Sequence, residues 1–489
     1  MYCSVQSMSE RCSRVGVPQA VLTSGSGGLA FVAPPCRKKH GHCTIEEEPV
    51  AASLTRLHLP QSKGYVRGTR LWNGAIVKTP AAVARPQSLE EVQSLVHHAR
   101  DDRLTVSVRG GGHDWAGRAL NDGGLVIDMS AMRGVRVDAS RREALVEGGA
   151  TIDDVVSAAE DHGLTAATGV VGDVGMVGFT LAGGYGPLNG VAGLGLDNLL
   201  DAQVVLADGS AVTAAEDSLP DLFWALRGGG ANFGVVTSTR IRLHPLPTVV
   251  AGVMMYPLDQ AGDVLAGFAA TVPTMPDQLT VQTGMMTAPD GTPVVIVAPT
   301  WAGDAAESVP WVDRLKRLGS PLAAEVDLIP RSVQIHLVDE IVPPGRHYEM
   351  RTCNVTALTP DVIAALVAGG AARTSQASAI YLHHFHGAAA RVGVTATAFA
   401  ARAPHFMVEI LAAWDSGDPA PHVDWARALY DDLAVHALPG GYPNLIGPDR
   451  SDQADHAYGP NVRRLLTAKA KWDGEGMFSA TPLPSGTQS

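Results

Sequence analysis

Glycine is unevenly spread along this chain. Its 53 glycines concentrate between about residues 109 and 234, in three clusters that limit what the segment can become. The first cluster, Arg109-Gly-Gly-Gly-His113-Asp114-Trp115-Ala-Gly117, follows Thr105–Val108, an alternating run that reads as a half-buried strand entering a turn. Consecutive glycines present no Cβ, so main-chain N–H groups can converge on phosphate or ring oxygens at close range. Arg109 can add charge there, and His113 places a nucleophilic nitrogen at the rim. Taken alone, the same stretch also reads as a tight glycine turn with a surface histidine.

The second cluster runs from Thr168 through Val171, Asp173, Val174 and Gly175 to Gly178, then Gly183-Gly184-Tyr185-Gly186. The third, Asp221-Leu-Phe-Trp224-Ala-Leu-Arg227-Gly-Gly-Gly230, ends a helix and feeds a strand beginning at Asn232-Phe-Gly-Val235-Val-Thr237. A Rossmann dinucleotide site wants G-x-G-x-x-G between its first strand and helix, with an acid ~20 residues on. These glycines lie deep in the chain without that frame. Three glycine turns suggest instead an extended cofactor lying across several loops. Gly163–Leu196 carries few charges, but its eleven glycines and Pro187 do not favour the unbroken helix that a lipid-exposed span needs. It is expected to form buried loop and short strand.

At 489 residues the chain should divide into two or three domains of ~100 to 200 residues. A net charge of -12 argues against nucleic acid or an anionic membrane surface as partner. Cys3, Cys12, Cys36 and Cys43 fall in the first 43 residues in no zinc spacing, and only Cys353 lies in the body. A disulfide-stapled leader is one reading; a reducing cytoplasm fits the single body cysteine better. Residues 1–60, rich in Ser, Gly and Pro near their start, are expected to be a disordered leader without signal-peptide character.

In chain order, Thr69 to Asn73 and Val83 to Pro86 read as extended. Ser88 caps a helix with Glu91 completing an S-x-x-E box, and Val92, Leu95, Val96 and Ala99 form its apolar face. Leu125–Asp128 is a strand, Val135–Val137 and Leu145–Val146 a hairpin, and Thr151 with Asp154 opens a helix that Gly163 stops. Asp208-Gly209 turns a second hairpin. From about residue 248 glycine thins; Val294–Val297 and Phe406–Leu411 read as sheet strands, and Thr359 opens a helix that Gly369 and Gly370 should stop. Alternating elements of both kinds point to an α+β or α/β fold. The tail, with Tyr442-Pro-Asn444 and Tyr458-Gly-Pro-Asn461, reads as loops and a helix.

In this order the three clusters, Asp197-Asn198 and the two tail motifs resemble the berberine bridge enzyme-like flavoproteins of the wider vanillyl-alcohol oxidase, PCMH-type class, from about residue 65 almost to the end. The resemblance implies an α+β fold. Its bilobed FAD-binding domain spans 61–247 and is completed by 439–489. A substrate domain, 248–438, carries an antiparallel sheet flanked by helices over the isoalloxazine. The family's histidine at the position of His113 is bonded to the flavin 8α-methyl carbon. Its second, cysteinyl link would fall at Val171, which cannot form it, so a single attachment is expected. The cofactor contacts implied are Arg109, Gly110, Gly111, Gly112, His113, Asp114, Gly117, Val174, Gly175, Gly178, Gly183, Gly184, Gly186, Val235 and Asn444. Val174 resembles the choice that admits oxygen to the ring face.

The family's catalytic glutamate matches Glu409, on an otherwise apolar strand where desolvation would suit a base. Glu409 pointing outward on an alternating strand is the other reading. Other members use the last residue of Tyr-x-Asn-Tyr, which here is Leu445, and Tyr442 is left as a reserve base. His383-His384-x-His386 lacks a fourth ligand for a metal; one of the three is expected to face the substrate. Near 346–351 and 472–478 the chain departs from the family pattern. The implied activity is that of an FAD-dependent oxidase passing a hydride from a small organic substrate to flavin N5, with O2 as acceptor. The alternatives are a flavin-dependent dehydrogenase or oxidative cyclase, or a flavin- or ligand-binding protein without a base.

Overall fold

The computed structural model describes residues 57–485; the four leader cysteines lie outside the described residues. Three sheets organise this part of the chain. The first has the order β1-β2-β4-β3 and comprises β1 (Leu57–His58), β2 (Ala82–Ala84), β3 (Val106–Arg109) and β4 (Leu125–Asp128). Here β4 is parallel to both β2 and β3, and parallel neighbours need a long crossover. The helix Leu89–Asp101 lies between β2 and β3 in the chain. Ser88 Oγ accepts from the Glu91 N–H at 3.3 Å, a cap that stabilises a helix by about 1 kcal/mol. Val92, Leu95, Val96 and Ala99 are fully buried against the sheet, each larger side chain contributing about 1.5–3 kcal/mol. This packing fixes the end of β3, where the first glycine cluster begins.

The second sheet is antiparallel, in the order β5-β6-β9-β7-β8. It contains β5 (Val135–Asp138), β6 (Glu143–Glu147), β7 (Leu199–Val205), β8 (Ala211–Ala215) and β9 (Val235–Arg242). After β6, Thr151 and Asp154 form a reciprocal capping box on the helix Ile152–Glu160. Between that helix and β7 the expected short strands are absent. The helices Met176–Leu181 and Asn189–Ala192 stand there instead. The run Met-Val-Gly-Phe-Thr-Leu can bury Met176, Val177 and Leu181 on one side of a short helix, which gains more than an edge strand with no partner.

The third sheet has eight antiparallel strands in the order β13-β10-β12-β11-β15-β16-β14-β17. They are β10 (Thr248–Pro257), β11 (Leu279–Thr287), β12 (Pro293–Trp301), β13 (Ala323–Pro330), β14 (His347–Val355), β15 (Ala379–Phe385), β16 (His405–Trp414) and β17 (Ala437–Leu438). Side chains alternate between its faces. Val281, Val297, Ile380, Leu382, Val408 and Ile410 pack with Phe268, Leu366 and Leu429 from the helices Ala261–Thr271, Pro360–Ala371 and Ala420–Ala434. Gln282, Ala298, Tyr381, His383, Met407 and Glu409 occupy the opposite face. The helix opened by Thr359 runs to Ala371, through both glycines expected to end it. A Cβ on Gly369 would stand 2.6 Å from Leu429 and one on Gly370 would stand 2.4 Å from Met285; these glycines serve close packing.

The tail returns to the earlier elements. The Val106 N–H donates to the Met477 carbonyl at 2.8 Å, Arg351 holds Asp449 through two bonds of 2.9 and 2.7 Å, and Gln453 donates to the Thr352 carbonyl. No helix among the described residues is long and apolar enough to cross a membrane.

Candidate active site

A cavity of about 1160 Å³ separates the glycine loops from the free face of the eight-stranded sheet. Gly110–Asp114, Gly169–Val171, Val174, Gly175, Gly178 and Gly186 line one side; Gln282, Tyr381, His383, Met407 and Glu409 line the other. The first two glycine clusters cross backbone against backbone. A Cβ on Gly111 would lie 2.3 Å from the Gly175 nitrogen, and one on Gly175 would lie 2.5 Å from the Gly111 nitrogen. Only two glycines let the loops approach this closely. Asn73 and Arg118 hold the crossing in place. Asn73 donates to the carbonyls of Trp115 (2.7 Å) and Tyr348 (2.8 Å), joining the first cluster to β14. Arg118 pairs with Asp114 and donates to the Asn444 carbonyl at 2.8 Å, joining it to the tail.

His113 lies at the cavity wall. Its ring stacks on Trp72 with centroids 5.4 Å apart, and Trp72 stacks on Tyr348 at 3.8 Å. Its Nε2 is 2.7 Å from Asp173 Oδ1. Burial works to raise the Asp173 pKa, but hydrogen bonding and charge from His113 and further charge from His336 outweigh it and hold the carboxyl below its ordinary value. Val171 and Val174 line the cavity. Cys353 is buried with the far-face core and is not part of the lining, and burial pushes its thiol up to about 12.

Across the cavity, Glu409 stands directly opposite Tyr381 in the β15–β16 pairing. His383, on the same face two residues along, meets it with Nε2 3.0 Å from Glu409 Oε2. Glu409 faces the cavity because Val408 and Ile410 on either side are drawn into the helix-covered core. The other two histidines of the cluster do different work. His384 and His386 stack at 4.1 Å, and His386 Nε2 lies 3.0 Å from Thr280 Oγ1. Burial pushes them down to about 3 and about 4, so both are neutral. No group of three or more His, Cys, Asp or Glu among the described residues could hold a metal ion.

The other anticipated residues divide into two sets. Asn444 lines the cavity and donates to Tyr442 Oη (3.1 Å) and to the Phe179 carbonyl. Tyr442 Oη also accepts the N–H groups of Gly184 (2.8 Å) and Tyr185 (3.3 Å), so its hydroxyl organises the second glycine cluster. Gly183 and Gly184 sit behind that loop, both at positive φ. Arg109, expected to bring charge to the ligand, lies beneath the turn: Asp128 (3.2 Å) and the Arg70 carbonyl hold its guanidinium close to Gly112. Gly117 and Val235 also stand outside the lining, Val235 wholly within the core of the first sheet. The Asp173–His113 and His383–Glu409 contacts, and the clamps by Asn73 and Arg118, had no marker in the sequence; only the alternation Tyr381-x-His383 hinted at a shared face.

The cavity fits a flavin dinucleotide. It exceeds the ~300–1,000 Å³ of ordinary small-molecule sites, and its glycine-lined side is a cradle that side chains would fill. The chain carries an FAD binding domain by family match over residues 80–215, and with the fold around it this defines an FAD-dependent oxidoreductase of the PCMH type. Its sequence relatives are FAD-linked oxidoreductases, and it shares the fold of Physcomitrella patens BBE-like 1 with a TM-score of 0.80 and 21% identity, over 90% of this chain and 100% of that one. The FAD-linked oxidoreductase aurO of Gibberella zeae is 29% identical over 90% of this chain and 87% of its own. The crystal structure of 6-hydroxy-D-nicotine oxidase from Arthrobacter nicotinovorans matches with a TM-score of 0.79 and 27% identity, over 87% of this chain and 96% of that one. Glucooligosaccharide oxidase from Acremonium strictum, which carries 6-S-cysteinyl, 8α-N1-histidyl FAD, shares the fold with a TM-score of 0.80 and 23% identity, over 89% and 99%.

Proposed function

We propose that this chain is an oxidase of a small organic substrate, with Glu409 as the base. The observation that carries the reading is the 3.0 Å contact between Glu409 and His383 on the cavity face of the sheet. A carboxylate there can take a proton from a substrate hydroxyl or amine, and His383 orients the oxygen it touches. FAD, when bound, accepts the hydride at N5 and passes electrons to dioxygen. Val174 on the cavity wall fits access of oxygen to the ring. Gly110–Gly112 and Gly175–Gly178 cradle the cofactor, and His113 is its single covalent anchor, because Val171 offers no thiol. The FAD-binding part comprises 61–247 with 439–489, and 248–438 forms the substrate part; the bonds from the tail to β3 and to the glycine loops support this division. The unpaired, buried Cys353 fits a cytoplasmic setting.

The test is anaerobic flavin reduction followed by stopped flow, with 6-hydroxy-D-nicotine and glucooligosaccharides as probes, then peroxide release in air. With whichever probe bleaches the flavin, Glu409→Gln should slow reduction by about 10²- to 10⁴-fold. Unchanged reduction would remove Glu409 from the role. Reduced flavin that persists for minutes in air would favour a dehydrogenase.

A further inference from the structure

Asp173 belongs to the second glycine cluster, two residues before the crossing at Gly175, and that crossing brings its carboxylate to His113. Oδ1 lies 2.7 Å from Nε2 but off the ring's N–H axis, since Nε2 has no well-aligned acceptor. The contact is therefore a close approach of carboxylate oxygen and ring nitrogen with imperfect hydrogen-bond alignment. Even so, it decides the tautomer. A bare nitrogen lone pair cannot face a carboxylate oxygen at 2.7 Å, because two electron-rich atoms would repel, so Nε2 carries the hydrogen. In the neutral imidazole, Nδ1 is then the nucleophilic nitrogen. The ring is also held in orientation. Trp72 stacks on it at an interplanar angle of 23°, is itself stacked at 7° on Tyr348, and is anchored by its Nε1–H to the Val342 carbonyl at 2.9 Å.

We propose that Asp173 is the positioning residue for covalent flavin attachment: it holds His113 in the tautomer that presents Nδ1 and stabilises the imidazolium formed when the bond is made. The proposal rests on the reading of His113 as the anchor. In the attachment step a C–H bond of the flavin 8α-methyl breaks; its proton goes to solvent and its electron pair stays on the flavin. The Nδ1 lone pair forms the new N–C bond. The imidazole is left with a positive charge and the flavin reduced by two electrons, which dioxygen then removes, becoming hydrogen peroxide. Asp173 faces the charge created on the imidazole, and its own negative charge is maintained by His113 and by His336 nearby. An orienting carboxylate on the far nitrogen of a reacting histidine is a recurrent arrangement in other chemistries, where it sets both tautomer and charge.

The test needs no turnover. Purified protein is acid-precipitated, flavin in pellet and supernatant is quantified, and the flavin peptide from the wild-type holoenzyme is characterised for the linked nitrogen. Wild type should retain flavin in the pellet, joined at Nδ1. Asp173→Asn and Asp173→Ala should still bind FAD but attach it at least 10-fold more slowly on incubation, with the flavin appearing in the supernatant. Asp173→Glu should recover part of the rate. Raising the pH should not restore Asp173→Ala, because the missing element is a fixed tautomer. Attachment at the wild-type rate in both Asn and Ala variants overturns the proposal, and so does linkage through Nε2, which is read on the wild type and is independent of how any variant folds. Flavin that leaves wild type completely on precipitation, or stays with His113→Ala, instead overturns the underlying reading of the anchor.

Discussion

The crossing of the two glycine loops makes separate predictions for two glycines three residues apart. Gly175 has φ −64° and ψ 118°, which alanine adopts without strain, so Gly175→Ala tests sterics alone. Its Cβ would stand 2.5 Å from the Gly111 nitrogen and 3.3 Å from the Gly111 Cα. The neighbour is backbone and cannot swing aside, so the loops must part by about 1 Å to restore contact. Overpacking of this kind costs about 1–3 kcal/mol. Gly178 lies within the helix Met176–Leu181, and a Cβ there meets no protein atom within 4 Å. Alanine at 178 should leave the protein's own stability unchanged or raise it by about 0.5–1 kcal/mol. Since Gly178 lines the cavity, however, its methyl would point at the cofactor's space. Thermal unfolding of the FAD-free protein and flavin content per chain separate the two effects. Gly175→Ala should lower the melting temperature and the flavin content together; Gly178→Ala should lower only flavin content. If Gly175→Ala melts with wild type and keeps its flavin, the loops do not cross as described and the cradle must be drawn differently.

Tyr442→Phe removes the oxygen that accepts the N–H groups of Gly184 and Tyr185 and the Asn444 amide; leaving buried donors unpaired should cost about 1–3 kcal/mol, measured by denaturant titration, and loosen flavin without abolishing reduction by substrate. His244, His384, His386 and His405 are pushed by burial down to between about 3 and about 4. Their folded pKa values lie below the unfolded value near 6.5, so the unfolded chain binds more protons as the medium is acidified. The stability they support is present above about pH 6.5 and is lost as pH falls from there toward about 4, with a limiting slope of about 1.4 kcal/mol per pH unit for each histidine. Unfolding midpoints between pH 7 and 4.5 should fall steadily, and His384→Asn should flatten the curve; a flat profile in the parent protein would contradict the burial of these rings.

Local signals carried well from sequence into structure where the physics is local. The Ser88 cap with its apolar face, the Thr151–Asp154 box, the hairpin at Asp208-Gly209, the strand before the first glycine cluster and the strand after the third depend on neighbours within a few residues. They formed as read. Glycine was harder to interpret, because the same residue ends a helix, permits positive φ or admits a neighbour. Gly369 and Gly370 were expected to act as stops, but the packing of Leu429 and Met285 against them decides their use. The short helices between 176 and 192 replaced expected strands for a similar reason: packing decides, and a helix lets the apolar run bury Met176, Val177 and Leu181 together.

The sequence alone supplied three ordered glycine clusters, a histidine after the first, and a carboxylate among apolar strand residues. Each cluster by itself reads equally well as a tight turn; their order along the chain is what carried the resemblance to flavin-binding oxidoreductases. Tertiary structure decided which groups meet. His383 and Glu409 come from strands paired across 26 residues of chain, His113 and Asp173 from loops 60 residues apart, and Arg109, next to three glycines in sequence, is turned away beneath them to Asp128. Such contacts follow from strand register and loop crossing, which depend on the packing of the whole domain and leave no mark in the neighbouring sequence.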